Sequence, residues 1–391
     1  MLREFAVGIY LSFFRIVFSF CKLFQTKNKT TFVTSFGGNT KNVVKAHEKL
    51  LGNDQRIVVL QTPDSSEDFA HTADTVLEFQ IKKIVALVKS IYHLATSSHV
   101  FVDNYFGFLA AATFKKDVTC IQLWHAAGAI KKFGLKDQTN QFRSPKALQR
   151  FKEVYEKFHK VVVGSEPMAD IFKKSFGVGE ERFLKTGVPR TDFFFDTNKM
   201  ERARDRISSD FPIIQHKKVL LYAPTYRDEE LDTSAIALDL EKMYRALSQE
   251  YIIFLRLHPA VSSEFENEFP GFVFNVSYYP SINDLLVAAD VLITDYSSIP
   301  VEFSLLHKPM IFYAYDLEAY IEKRGIWMDD FAEAPGPVVT STTELIGIIE
   351  RENYNMDIVA AFRKEWNQYS DGGSSERLIH TLFSNKNRSP S

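Results

Sequence analysis

At 391 residues, with 45% hydrophobic and 25% charged side chains, the chain has globular composition and length for two domains that each bury a core. A net charge of -2 carries no nucleic-acid signature, and two cysteines, Cys21 and Cys120, cannot form a disulfide framework. The 35 phenylalanines imply aromatic-rich cores or a greasy surface, without deciding between them.

Residues 1 to 29 read as an amphipathic, membrane-associating segment. The first 25 are strongly apolar, but Arg3, Glu4, Arg15 and Lys22 interrupt them, which disfavours a bilayer span. No small-residue cleavage site follows. An interfacial helix with Phe and Leu in the lipid and basic residues at the headgroups fits better than a helix packed on the protein's own body.

Residues 30 to 196 alternate strand and helix patterns. Strands are expected at 31–36, 57–61, 100–102, 119–123 and 161–163, and helices from about 42 to 51, 81 to 96, 106 to 113, 143 to 158 and 168 to 176. This is βαβ alternation, and right-handed crossovers make it a parallel sheet covered by helices. The Gly37-Gly38 turn lacks the G-x-G-x-x-G spacing of a dinucleotide site. Trp124-His125-Ala126-Ala127-Gly128 leaves the carboxyl end of a strand, where open α/β sheets place ligands. His125 can take a proton near neutral pH, and Gly128 lets a substrate come close. Lys131 and Lys132 add charge, although a solvated surface pair explains them as well.

A boundary near residue 196 opens a second half, 197 to 356, with strands expected at 218–223, 251–255, 272–276, 291–293 and 309–313. Here too the unusual polar residues follow strands: Pro224, Thr225 and Arg227; Arg256 and His258; then Thr294, Asp295, Ser297 and Ser298. Val291 to Ile293 is apolar on both faces, a serine is a natural N-cap, and Pro300 suits a first helical turn. A strand end meeting a helix start offers free N–H groups to an anion, although the turn alone is equally compatible with a capped helix that holds nothing. Asp295 caps the turn more readily than it ligates a metal. Residues 357 to 391 read as a C-terminal helix and a frayed tail.

Each half therefore reads as a Rossmann-like α/β domain, and strand ends facing across a cleft would form one site. No CxxC, HExxH, P-loop or G-x-S-x-G occurs, which argues against zinc hydrolysis, nucleotide hydrolysis and serine esterase chemistry. Group transfer remains, with Arg227, Arg256 and the serine turn able to neutralise a diphosphate.

Six stretches in order, WHAAGAIKKFG, VGSEPMADIFKKSFGV, TGVPRTD, YAPTYRD, RLHPA and ADVLITDYSSIPVEF, resemble the CDP-glycerol glycerophosphotransferases of teichoic acid synthesis. The similarity runs from about Phe32 to Phe331 and is greatest to the TagB-type glycerophosphate primases. It implies a GT-B-like pair of domains, CDP-glycerol as donor, an undecaprenyl-diphosphate-linked N-acetylmannosaminyl-N-acetylglucosamine as acceptor, and CMP as product. It implies no cofactor, no metal and no nucleic acid, a peripheral location on the cytoplasmic side of the cell membrane, and room for a homo-oligomer. By motif, His125 becomes the base for the acceptor hydroxyl and His258 the group that positions or protonates the departing phosphate. Ser297 and Ser298 would hold the pyrophosphate, Pro224, Thr225 and Arg256 would line the donor pocket, and Arg190 would contact donor or acceptor. Three alternatives share these features: extension of an already primed lipid, a GT-B nucleotide-sugar glycosyltransferase, and a non-catalytic membrane scaffold with a nucleotide pocket.

Overall fold

Short apolar runs alternating with amphipathic helices build two wholly parallel sheets. The computed structural model describes residues 2–65, 67–225, 227, 236–257, 265–327, 331 and 333–384. The chain divides into two compact units: Met1–Ala127, Phe133–Asp192 and Gln368–Ser391 in one, Gly128–Lys132 and Phe193–Asn367 in the other.

In the first unit the elements run α1 (Leu2–Cys21), β1 (Lys27–Thr34), α2 (Gly38–Leu51), β2 (Arg56–Gln61), β3 (Thr75–Glu78), α3 (Ile84–Thr96), β4 (Ser97–Val102), β5 (Thr119–Gln122), α4 (Pro145–Glu156), β6 (Lys160–Val162), α5 (Glu166–Phe176) and β7 (Phe183–Leu184). The sheet order is β3-β2-β1-β4-β5-β6-β7, parallel throughout. Crossovers depart in opposite directions from β1 and β4, so the crevice beyond these two strands is where an open α/β sheet collects functional groups.

Local chemistry sets these elements. Ser144 and Ser165 cap α4 and α5 through their hydroxyls, each with a proline in the first turn. Helix α2 begins at Gly38, earlier than periodicity implied, because Gly37 adopts a φ of 83° and has no Cβ to strike Glu67. Strand β3 was not anticipated: it is a four-residue sheet edge in which no residue is fully buried, so it lacks the apolar run that marks the others. The expected helix at 106–113 is a 3-10 segment, Gly107–Ala111.

Helix α1 buries Phe14, Phe18 and Cys21 against the unit while Phe5, Ile9, Ile16 and Phe20 are exposed, Ile16 by 70%. The buried stripe follows helical spacing, and Phe14 stacks on Phe108 at 5.1 Å between ring centroids. Arg150 of α4 pairs with Glu4 at 3.2 Å. By length and composition alone, Glu4–Cys21 could cross a membrane.

The second unit runs α6 (Thr197–Asp210), β8 (Lys218–Ala223), α7 (Leu240–Leu247), β9 (Tyr251–Leu255), β10 (Val273–Asn275), α8 (Ile282–Ala288), β11 (Val291–Thr294), α9 (Ile299–Phe303), β12 (Met310–Tyr313), α10 (Leu317–Lys323), β13 (Val338–Val339), α11 (Thr342–Glu350) and α12 (Met356–Trp366). Its order is β10-β9-β8-β11-β12-β13, again parallel. The crevice lies beyond β8 and β11.

The single C-terminal helix expected after residue 357 is two. Helix α12 belongs to the second unit, and α13 (Ser374–Phe383) returns to the first. Asp192 draws it back by accepting from the Ser374 and Ser375 amides, both at 2.9 Å. The TGVPRTD stretch thus has a structural duty: Gly187, at φ 84°, has no room for a Cβ beside the Tyr369 carbonyl.

Two histidines of the first unit are held neutral. Thr30 Oγ1 donates to Gln55 Oε1 at 2.9 Å, so His47, 2.9 Å away through Nε2, must be the donor to Thr30. Burial lowers His47 to about 4 against the pull of Gln55 and Asp74. Burial also takes His93 to about 4, and neighbouring Lys29, Arg56 and Lys27 reinforce the shift. Folded values below the unfolded one mean that stability is fully present above pH ~6.5 and is lost as pH falls toward 4, because the unfolded chain takes up the protons first. Thermal melts at pH 7, 6, 5 and 4.5 should show a declining Tm, with a shallower decline for His47→Gln; a pH-independent Tm would refute the assignment.

Candidate functional site

Beyond β1 and β4, the turn that a dinucleotide-binding fold would offer to phosphate is filled by a side chain. Asp103, 1% exposed, leaves β4 and accepts from the backbone N–H groups of Ser35, Phe36 and Gly37 at 2.9, 3.2 and 3.0 Å. Thr34 Oγ1 adds a further bond at 2.5 Å. An internal carboxylate therefore satisfies the donors at the start of α2, which explains in physical terms why no dinucleotide motif is present.

The histidine turn is built on this plug. Trp124 takes a φ of 60°, a conformation that costs a non-glycine residue about 1–3 kcal/mol and must be held by its surroundings. Gln122 Oε1 accepts from its amide and Asn39 Nδ2 donates to its carbonyl, each at 2.8 Å. His125 then lies half-buried with the Phe36 and Trp124 rings stacked on it at centroid distances of 4.2 and 4.3 Å. Burial lowers its imidazole to about 4, Asp103 opposing the shift and Arg190 adding to it. At neutral pH the ring is uncharged and able to accept a proton. Arg190, expected to contact substrate, donates from Nη1 to the His125 carbonyl at 2.5 Å, and Asn39 Oδ1 accepts from its amide at 2.9 Å. It therefore fixes the histidine turn.

In the second unit, the crevice beyond β8 and β11 is organised by Arg227. Its Nε and Nη2 donate to the two oxygens of Asp316 at 2.9 and 3.0 Å, and Nη2 stands 2.9 Å from Asp295 Oδ2. The rings of Tyr296, Tyr315 and Tyr320 lie 5.0, 5.6 and 4.8 Å from the guanidinium. Burial alone would lower its pKa, but the carboxylates more than offset this and raise it. Arg227 was expected to neutralise a diphosphate; in the structure its charge is already matched by two carboxylates.

The opposite holds for Arg256. Its Nη1 donates to the Val276 and Tyr279 carbonyls at 2.7 and 2.6 Å, and burial pushes it below its ordinary value, yet among the described residues no carboxylate pairs with it. A half-buried guanidinium placed by neutral carbonyls keeps its full positive charge.

The serine turn is pinned from its buried side. Thr294 donates to the Ala223 carbonyl at 2.7 Å, Asp295 Oδ1 accepts from the Thr225 amide at 2.8 Å, and Tyr296 donates to Asp316 at 2.8 Å. Ser297 Oγ accepts from the Ile299 amide at 3.2 Å, and Ser298 makes no side-chain cap. Helix α9 has five residues, too few for a full macrodipole, so what the turn offers is local hydroxyl and N–H donors. Pro224 and Thr225 are half-buried beside it, with the Thr225 hydroxyl lacking a partner among the described residues.

Gly128 was expected to admit substrate. It lies in the second unit, where a Cβ would come within 2.7 Å of Val301 and 3.4 Å of Trp366, so its small size serves packing on α9 and α12. His258 lies outside the described residues. Among the described residues no cluster of His, Cys, Asp or Glu could hold a metal. Asp103, Asn39 and Asp316 were not singled out from sequence, although Asp103 follows a strand as His125 does.

Arg227→Ala leaves the buried Asp295 and the half-buried Asp316 without their counter-charge and should destabilise the protein by about 3–5 kcal/mol in urea titrations. Arg256→Ala should cost less, about 1.5–3 kcal/mol, since it removes charged-donor bonds to carbonyls and leaves no carboxylate unpaired among the described residues. Equal losses would contradict this division of roles.

A family model described as CDP-Glycerol:Poly(glycerophosphate) glycerophosphotransferase matches residues 16–384. The chain is 37% identical over 385 residues to a teichoic acid glycerol-phosphate primase of Bacillus subtilis (strain 168), covering 97% of this chain and 98% of that one. It is 36% identical over 306 residues to a teichoic acid poly(ribitol-phosphate) polymerase of Bacillus spizizenii, covering 77% of this chain and 49% of that one. Among solved structures, the wall teichoic acid polymerase TagF superposes with a TM-score of 0.80 at 23% identity over 99% of each chain. A UDP-GlcNAc 2-epimerase from Neisseria meningitidis gives 0.59 at 15% identity, over 91% of this chain and 99% of that one. These two likenesses speak to the two-sheet α/β fold. The chain belongs to the CDP-glycerol:poly(glycerophosphate) glycerophosphotransferase family and is a CDP-glycerol glycerophosphotransferase of teichoic acid synthesis.

Proposed function

We propose that the chain is a primase: it transfers sn-glycerol 3-phosphate from CDP-glycerol to an undecaprenyl-diphosphate-linked N-acetylmannosaminyl-N-acetylglucosamine and releases CMP. The observation that carries this reading is the end-to-end match to the B. subtilis glycerol-phosphate primase. A second reading, extension of an already primed lipid, is favoured by the similarity to a polymerase over 77% of this chain.

In the proposed reaction the acceptor hydroxyl oxygen attacks the glycerol-bearing phosphorus of CDP-glycerol. A P–O bond forms there while the bond to the CMP oxygen breaks, and the hydroxyl proton passes to His125. Two properties of His125 support it as the base: its position at a strand end and its neutral imidazole. Arg256, Thr225, Ser297 and Ser298 hold the diphosphate and Pro224 lines the donor pocket. Fixed donors suit a step whose charge develops on phosphate oxygens. His258 positions or protonates the departing phosphate.

We also propose that α1 lies on the cytoplasmic face of the membrane. Its exposed Phe5, Ile9, Ile16 and Phe20, flanked by Arg15, Lys22 and Lys27, support an interfacial helix.

Purified protein given CDP-glycerol should release CMP with the bare lipid disaccharide, and at least tenfold more slowly with a lipid that already carries glycerophosphate. The reverse preference would make the chain an extending enzyme, and no release with either would refute transfer. Removing residues 1 to 25 should lower sedimentation with anionic vesicles; unchanged sedimentation would refute anchoring by α1.

A further inference from the structure

Beside the histidine turn, within the first unit, lies a cavity of about 210 Å³ to which the proposed reaction assigns no role. Its walls are aromatic, formed by Trp124, Phe133, Phe151, Tyr155 and Phe176, with Asp137 at the rim. For scale, an apolar cavity of about 150 Å³ takes up benzene, so this one admits a six-membered ring with a few substituent atoms.

The hydrogen bonds around it show what that ring should carry. Asn104 is committed, its Nδ2 donating to Ser35 Oγ at 3.0 Å and its Oδ1 accepting from the Tyr105 amide at 2.8 Å. Gln122 is committed as well, between the Asn104 carbonyl at 3.1 Å and the Trp124 amide at 2.8 Å. Asp137 Oδ1 accepts from Thr139 N and Oγ1 at 2.8 and 2.7 Å. Its Oδ2 and the Tyr155 hydroxyl carry no hydrogen bond among the described residues. Aromatic faces on most sides and two polar atoms at one edge match a pyranose, whose C–H faces are apolar and whose rim bears hydroxyls.

Position decides between a sugar and the lipid's hydrocarbon. Trp124 is a shared wall, lining the cavity while stacked 4.3 Å from His125. A hydroxyl that gives its proton to His125 must approach to about 2.6–3.2 Å, and His125 does not line the cavity, so the sugar that bears it lies on the His125 side of this wall and the ring next to it in the disaccharide lies on the cavity side. The prenyl chain is separated from that hydroxyl by a diphosphate and at least one ring, and lies too far away. We infer that the cavity seats the acceptor ring next to the reacting one, an N-acetylated hexosamine, with Tyr155 and Asp137 reading its hydroxyl edge. The inference rests on the glycerophosphate-transfer reading and adds where the acceptor ring is held.

The test uses the full chain and two probes, the free N-acetylmannosaminyl-N-acetylglucosamine disaccharide and farnesyl diphosphate, with binding followed by saturation-transfer NMR and tryptophan fluorescence. The disaccharide should bind, and Tyr155→Phe, which keeps the ring and removes one hydroxyl, should weaken it about five- to tenfold. The KM for the lipid acceptor should rise by a similar factor, with the loss falling on KM rather than kcat. Calorimetry with CDP-glycerol should give wild-type affinity, showing that the variant is folded. Unchanged disaccharide affinity and acceptor KM in an active Tyr155→Phe enzyme would overturn the cavity assignment and leave the transfer reading standing. Displacement of the disaccharide by farnesyl diphosphate would overturn it in favour of a prenyl site. Absence of CMP release by the wild type would remove the transfer reading and the assignment with it.

Discussion

The buried guanidinium of Arg227 is the charge around which the second unit's strand-end loops are arranged. With a side chain 10% exposed it cannot rely on water, and it gathers Asp295 from the turn after β11, Asp316 from the segment after β12, and three tyrosine rings. Two carboxylates exceed one guanidinium, and the Thr225 amide takes up part of the surplus on Asp295. Desolvating such a group is costly unless every partner is in place, so the arrangement is close to all-or-none. Its consequence is positional. Thr294, Asp295 and Tyr296 are anchored inward, and the half-buried serines that follow are set in place by protein contacts alone. Donors fixed before a ligand arrives need little reorganisation when charge develops on it.

The two sheets share a topology and differ in how each treats the anion-binding crevice of its fold. In the first unit Asp103 occupies the turn after β1 and satisfies its amides from within. That turn becomes a rigid support for Phe36, which stacks on His125. In the second unit no carboxylate plays the equivalent part for Arg256 among the described residues, and its guanidinium is held by the Val276 and Tyr279 carbonyls. One crevice therefore carries a neutral imidazole, the other a guanidinium without a carboxylate partner among the described residues. The difference rests on a few side chains at strand ends, while the strands themselves are interchangeable in kind.

What could be read in the sequence follows from the range of each interaction. Strands such as Tyr251–Leu255 were legible because burial on both faces demands a continuous apolar run, whereas β3 escaped because an edge strand does not. His125 and the serine turn were legible because a polar residue after an apolar run marks a strand end. The contacts of Arg227, Arg190 and Gly128 were not, since each is made with a distant partner: Asp316 lies 89 residues from Arg227, and Val301 reaches Gly128 only through the fold. The tail was misread for the same reason, because the capture of α13 by Asp192 has no local signature. The family was legible because six motifs in fixed order carry more information than any one of them.

The central claim is that a half-buried, uncharged His125 takes the acceptor's proton. It is tested most directly by the rate of CMP release across pH 5 to 8 for the wild-type enzyme and for His125→Gln, which keeps a polar side chain without the base. The account predicts a rate nearly level down to about pH 5, since the imidazole titrates only near 4, and a loss of about 100-fold or more in the variant across the range. A variant that releases CMP at the wild-type rate would contradict it.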